Sequence, residues 1–139
     1  MRSQTTIIVR YAETDQMGIA HHSHYPVWYE AARTDFIKRI GLTYTEMEHM
    51  GILLPLTELN CRYLGAVYYE DDLLVETRLT VLRRVKMTFA YTITRRGGDQ
   101  ILNEGRTVHG IVDRSMRPLN LAASHPQLFE QLRQIAEPE

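Results

Sequence analysis

The stretch Tyr25–Ile40, YPVWYEAARTDFIKRI, decides the architecture. Tyr25, Tyr29, Ala32, Phe36 and Ile40 recur at spacings of three and four, so they form one stripe of an amphipathic helix. Trp28 and Ile37 flank the stripe and leave bulky apolar groups on much of the girth. A helix dressed in this way is best buried by a curved sheet wrapping round it. Ser23 is placed to cap its start, Pro26 falls in the first turn where a missing N–H is harmless, and Gly41 stops it.

Working outward, TTIIVRYA at Thr5–Ala12 is β-branched and aromatic without a breaker, and predicts a first strand. The residues from Tyr11 to His24 are too polar and irregular for regular structure. After the long helix, Thr43–Gly51 predicts a short second helix with Thr43 and Glu46 in capping-box spacing. The apolar period then changes from 3.6 to 2. In LLPLTELNCRY the apolar phase runs through Leu54 and Leu56, then Leu59, Cys61 and Tyr63, and the slip predicts a bulge near Thr57 and Glu58. Val75–Val81 and Met87–Ile93 alternate as half-buried strands. Arg95–Gln100, RRGGDQ, reads as a hairpin turn, with a further strand over Ile101–Asp113 closed by Pro118. The last segment predicts a helix with Ser124 and Gln127 as its capping pair and Leu128, Leu132 and Ile135 as its inner stripe. A strand, a long helix, then consecutive strands joined by short turns give an α+β class with an antiparallel sheet.

At 139 residues the chain is read as a single domain, 1–139, large enough for a core of its own. A net charge of −1 gives no electrostatic case for nucleic acid or an anionic membrane as partner. One cysteine, Cys61, excludes an intrachain disulfide and a cysteine-rich zinc site. The opening MRSQTTIIVR has no apolar run behind its arginine, and no segment is apolar for long enough to span a bilayer. The expected location is cytoplasmic.

Half of the six histidines, His21, His22 and His24, crowd the loop before the long helix. Glu13 or Asp15 could complete a metal site with them. In an extended loop, however, His21 would face away from the other two, and no pair has the i, i+4 spacing by which a helix presents two ligands. Cys61 lies within a strand among apolar neighbours and reads as a small core residue rather than a nucleophile. No Gly-x-Ser-x-Gly elbow occurs. Asp15, Gly18 and a helix starting near His22–Ser23 carry more chemistry. A helix start offers unpaired N–H groups that can bind an oxyanion, and Gly18 lets the backbone turn towards it. A carboxylate facing that start suits attack on an acyl carbon or activation of water. The plainer reading has Asp15 capping a turn or pairing with Arg33.

YAETDQMGIA followed by YPVWYEAAR resembles the signature of the hotdog-fold acyl-CoA thioesterases, of the hydroxybenzoyl-CoA thioesterase type. YYEDDLLVETRLT, RRVKMTFAYTI and the RPLNL exit are also similar to that family, so the resemblance covers nearly the whole chain. It implies a curved antiparallel sheet of about five strands around one helix, joined edge to edge into homodimers that often pair again into homotetramers. It implies Asp15 as the catalytic carboxylate and the backbone N–H of His22, with Ser23 beside it, as the group polarising the thioester carbonyl. Tyr25 and Trp28 would line or support the acyl pocket, a role that core packing explains equally well. Arg83, Arg84 and Lys86 would meet the CoA phosphates, against the alternative of a solvated turn. CoA is then part of the substrate, and no tightly held cofactor is expected. His21 and His24 depart from many relatives, so acyl preference does not transfer.

Two other functions remain open at this level. A hydratase or dehydratase of the same fold pairs Asp with a His five positions on, where this chain has Ala20. An acyl-CoA or acyl-carrier binding module would bind without turnover.

Overall fold

The computed structural model describes residues 1–139. Its five strands form one antiparallel sheet: β1 (Ser3–Ile8), β2 (Leu56–Tyr63), β3 (Asp72–Leu82), β4 (Lys86–Arg95) and β5 (Ile101–Gly110), in the order β1-β3-β4-β5-β2. The long helix α1 (Tyr25–Lys38) packs against β1 and β3 on the inner face. Helix α2 (Tyr44–His49) follows it, and α3 (Leu121–Ser124) and α4 (Pro126–Ile135) close the chain. This is the hotdog arrangement that the girth of α1 requires. No helix is long and apolar enough to cross a membrane.

The core forms where the two periods meet. Leu73, Val75, Thr77 and Leu79 of β3 and Met87, Phe89, Tyr91 and Ile93 of β4 are buried against Tyr29, Ala32, Phe36 and Ile37 of α1. Tyr29 stacks on Tyr91 at 4.3 Å between ring centroids, and Phe36 meets Phe89 edge-on at 5.6 Å. Each such side chain contributes roughly 2–3 kcal/mol by leaving water. The Tyr29 hydroxyl donates to the Asn103 side-chain oxygen, so the phenol carries no unsatisfied donor into the core.

The bulge expected near Thr57 and Glu58 is present as a register shift between Leu56 and Glu58. Thr43 caps α2 by accepting the Glu46 N–H at 3.1 Å, and Gly41 and Gly51 leave their helices at φ of +81° and +80°. Four expectations need correction. The first strand ends at Ile8 and not at Ala12, because the Glu13 carboxylate takes the Arg10 N–H at 2.8 Å and winds Tyr11–Glu13 into a 3-10 turn. Ser23 does not cap α1: His22–His24 forms a separate 3-10 turn, and His21 caps it by accepting the Ser23 N–H at 3.3 Å. The last helix is two. Asn120 caps α3, Pro126 starts α4, and the Ser124 hydroxyl is spent on His125 Nδ1 at 2.8 Å. Strand β2, whose pattern promised an inner apolar face, has Leu56, Leu59 and Tyr63 about half exposed. It lies at the sheet edge, where α1 reaches it only through Tyr25 on Tyr63 and Tyr29 on Cys61.

Candidate active site

The loop between β1 and α1 is a stiff hairpin. Its limbs are tied by the His21 N–H donating to the Glu13 carbonyl at 2.8 Å, a bridge between Thr14 and Ala20, and the Asp15 N–H donating to Ile19 at 3.0 Å. At the tip, Gly18 donates to the Asp15 carbonyl at 2.9 Å with φ +79°, a conformation that costs an L side chain roughly 1–2 kcal/mol. The hairpin is moored to the segment before β3 through the Ala20 N–H on the Val67 carbonyl at 2.7 Å and a bridge from Ile19 to Tyr68.

Asp15 uses one carboxylate oxygen, Oδ1, to accept the Met17 N–H at 2.8 Å. The turn-capping reading is therefore correct for that oxygen, and Oδ2 has no partner within the chain. The pairing with Arg33 does not occur: that guanidinium donates to the hydroxyls of Tyr44 at 3.0 Å and Tyr91 at 3.1 Å. Asp15 and His22 line the same cleft of about 340 Å³, walled by Met17, Ile19, Tyr25 and Tyr63. The His22–His24 turn leaves the His22 N–H without a carbonyl acceptor, while the His24 N–H closes on His21 at 3.1 Å. The Tyr63 hydroxyl donates to the His22 carbonyl at 2.9 Å and fixes the peptide that follows. Burial raises the Tyr25 phenol to about 12 and moves Tyr63 upward as well, so both rings present neutral hydroxyls.

The other expected residues are not all at the cleft. Trp28 stands behind it, fully buried, with Nε1 donating to Glu13 Oε2 at 2.8 Å. Ser23 faces His21, its hydroxyl 2.8 Å from Nδ1. Arg83, Arg84 and Lys86 are exposed in the β3–β4 turn. The cleft lies at the Asp72 end of β3, and eleven residues of strand put that turn about 33 Å away within one chain. His21 does not face away from the other histidines as expected: its ring lies 4.0 Å from that of His22, tilted by 34°, and 6.3 Å edge-on from that of His24, although no three His, Cys, Asp or Glu side chains gather as metal ligands. Cys61 is half-buried rather than a pure core residue, within 3.4 Å of the Tyr29 hydroxyl and 3.3 Å of Asn103 Nδ2. Five positions after Asp15, Ala20 is buried, and the next imidazole, on His21, is turned to Ser23.

Two residues went unrecognised in the sequence. Tyr63 read only as an alternating strand residue, and Glu13 only as a spare metal ligand. Glu13 is 3% exposed and holds Arg10, Trp28 and, through its carbonyl, His21. Burial pushes its carboxyl up, but the Arg10 N–H, the Trp28 N–H and the Arg10 guanidinium outweigh that and hold it below the usual range.

Residues 9–135 match the family described as the thioesterase-like superfamily. The chain is 35% identical over 125 residues to "Putative acyl-CoA thioesterase YneP" of Bacillus subtilis, covering 89% of this chain and 90% of that protein. A DHNA-CoA thioesterase from Staphylococcus aureus superposes with a TM-score of 0.90 at 32% identity, over 96% of this chain and 90% of its own. The hypothetical protein TT1821 of Thermus thermophilus gives 0.87 at 37% identity, over 96% and 98%.

Proposed function

The chain belongs to the thioesterase-like superfamily, and from that premise we propose that it hydrolyses an acyl-CoA thioester to the free acid and CoA. The observation that supports this reading is that Asp15 and His22 line one largely apolar cleft just before α1, the His22 N–H having no backbone acceptor. The thioester carbonyl oxygen sits at the His22 N–H, where the unpaired donor and the helix dipole stabilise the charge that develops on it. Oδ2 of Asp15 then acts in one of two ways. It attacks the carbonyl carbon, expelling the CoA thiolate and leaving a mixed anhydride that water cleaves. Alternatively it takes the proton of a water that attacks the same carbon, and the tetrahedral intermediate then breaks its C–S bond and releases CoA, whose thiolate recovers that proton. Oδ1, held by Met17, keeps the carboxylate oriented in either case.

The substrate's nucleotide end calls for a second subunit. The free edge of β2 carries half-exposed Leu56, Leu59 and Tyr63. Pairing two such edges about a two-fold axis is antiparallel, so Tyr63 of one subunit approaches the partner's Leu56. The β3–β4 turn lies at that same Leu56 end of the sheet. The partner's Arg83, the partner's Arg84 and the partner's Lys86 therefore come to the cleft side, where they can neutralise CoA phosphates. Dimers built this way can pair again into tetramers.

Thiol release from a panel of aliphatic and aromatic acyl-CoAs tests the chemistry. Asp15→Asn is expected to lower kcat by about 10²-fold or more while substrate still binds, because an amide is neither base nor nucleophile. Near wild-type turnover would overturn the mechanism, and binding of every panel member without turnover in the wild type would favour a carrier module.

A further inference from the structure

We infer that the Glu13 carboxylate is a positioning group of the site, holding the hairpin that carries Asp15 and leads to His22 against the first turn of α1. The inference rests on the thioesterase reading above and deepens it.

Glu13 touches both limbs of the catalytic hairpin and the helix behind it. Its carbonyl accepts the His21 N–H at 2.8 Å, which fixes the residue immediately before His22. Two positions along the other limb is Asp15. The Glu13 carboxylate reaches in the opposite direction: Oε1 accepts the Arg10 N–H at 2.8 Å, just past the end of β1, and Oε2 accepts the Trp28 Nε1–H at 2.8 Å, one turn into α1. The hairpin is thereby referenced to the helix whose N-terminal approach supplies the oxyanion donor. The backbone bonds between the limbs hold Asp15 beside the His21–His22 limb whatever residue stands at 13; what the carboxylate adds is the tie between that hairpin and the first turn of α1.

The expense of the arrangement points the same way. A carboxylate 3% exposed is costly unless its oxygens are satisfied, and the nearest cation, the Arg10 guanidinium at 3.4 Å, is itself largely in solvent. An apolar residue could fill the space without that cost. Only an ionised acceptor holds two N–H donors arriving from different elements. A glutamine of equal shape must turn its NH₂ towards one of those donors, so Glu13→Gln loses one anchor while keeping volume.

The test is steady-state kinetics, per mole of folded protein, on an acyl-CoA that the wild type hydrolyses. Glu13→Gln is expected to lower kcat about tenfold with KM within about twofold, since misplacing the reacting groups costs the transition state more than the bound substrate. Trp28 is the only tryptophan, so its emission reports loss of the Nε1–H bond directly. Trp28→Phe, which removes the donor from the other side, is expected to lower kcat similarly. The double variant is expected to be no worse than either single one, because both break the same link. A purely structural Glu13 would lower the melting temperature and leave kcat of the folded fraction unchanged, which overturns the inference. So would strictly additive losses in kcat. If Glu13→Gln does not fold, wild-type kcat in Trp28→Phe overturns it alone. Asp15→Asn separates the two levels. Inactive Asp15→Asn with fully active Glu13→Gln defeats only the positioning role, whereas active Asp15→Asn defeats the mechanism beneath it.

Discussion

His109 projects from the inner face of β5 into the core, 1% exposed, with Nδ1 3.0 Å from the Leu54 carbonyl and Nε2 without a partner. Neutral imidazole fits that setting by donating from Nδ1. A second proton would strand a buried donor on Nε2 beside the Arg33 charge. Burial, with Arg33 adding to it, accordingly lowers the group from 6.5 to about 4, although the Leu54 bond opposes the shift. Between those values the unfolded chain binds a proton that the native chain refuses. Stability therefore falls as pH drops from 6.5 towards 4, by up to roughly 3 kcal/mol at the bottom of the window. His109→Gln, which can still donate to Leu54, should flatten that slope; denaturation midpoints at pH 7 and 4.5 measure it, and an unchanged slope refutes the assignment. At this same scale residue type and spacing marked the turn between β1 and α1. Asp15 and Gly18 stand where a carboxylate and a left-handed turn were expected. The Glu13–Trp28 bond was not readable, because fifteen residues separate the partners and nothing local marks either as polar and buried together.

Helix α1 and strand β5 meet more closely than either pattern required. A Cβ built on Gly105 would collide with the Asn60 carbonyl oxygen and lie 2.5 Å from the Tyr29 hydroxyl. The first contact is backbone of the paired strand β2, so it cannot move aside without breaking the ladder. Gly105→Ala should therefore destabilise by about 2–3 kcal/mol, read as a lower urea midpoint at unchanged slope; a neutral effect would mean that both the Asn60 carbonyl and Tyr29 leave room for a methyl group at Gly105. Element existence followed from period, 3.6 in α1 and 2 in β3 and β4, because packing rewards those repeats directly. Element ends followed less well. The first strand stopped early and the helix start was displaced because single side chains, Glu13 and His21, captured backbone N–H groups that a pattern counts as ordinary.

At the scale of the whole molecule the sheet ends in β1 on one side and β2 on the other. Where β1 stops, the C-terminal tail continues that flank of β3, with the Glu137 N–H on the Leu79 carbonyl at 2.8 Å, whereas β2 presents half-exposed Leu56, Leu59 and Tyr63. An open edge of that character is an aggregation hazard unless another chain pairs with it. If two copies pair there, Leu59→Arg sets like charges against each other across the axis. It should shift the mass in sedimentation from dimer or larger to monomer, and raise KM for acyl-CoA by removing the partner's cations. A variant that keeps its assembly and KM would exclude β2 as the interface. The periodicity of Tyr25–Ile40 and of the later strands already contained the α+β class and the helix within a sheet, since burial of a patterned face depends only on neighbours in the chain. The YAETDQMG stretch already contained the carboxylate and its turn. Folding alone decided that the basic turn of Arg83–Lys86 stands at the far end of β3 from Asp15, that Tyr63 closes on His22, and that Glu13 is buried against Trp28. Those facts depend on which strand ends share an end of the sheet. Strand order and polarity are set by the sum of long-range packing, and no local repeat encodes them.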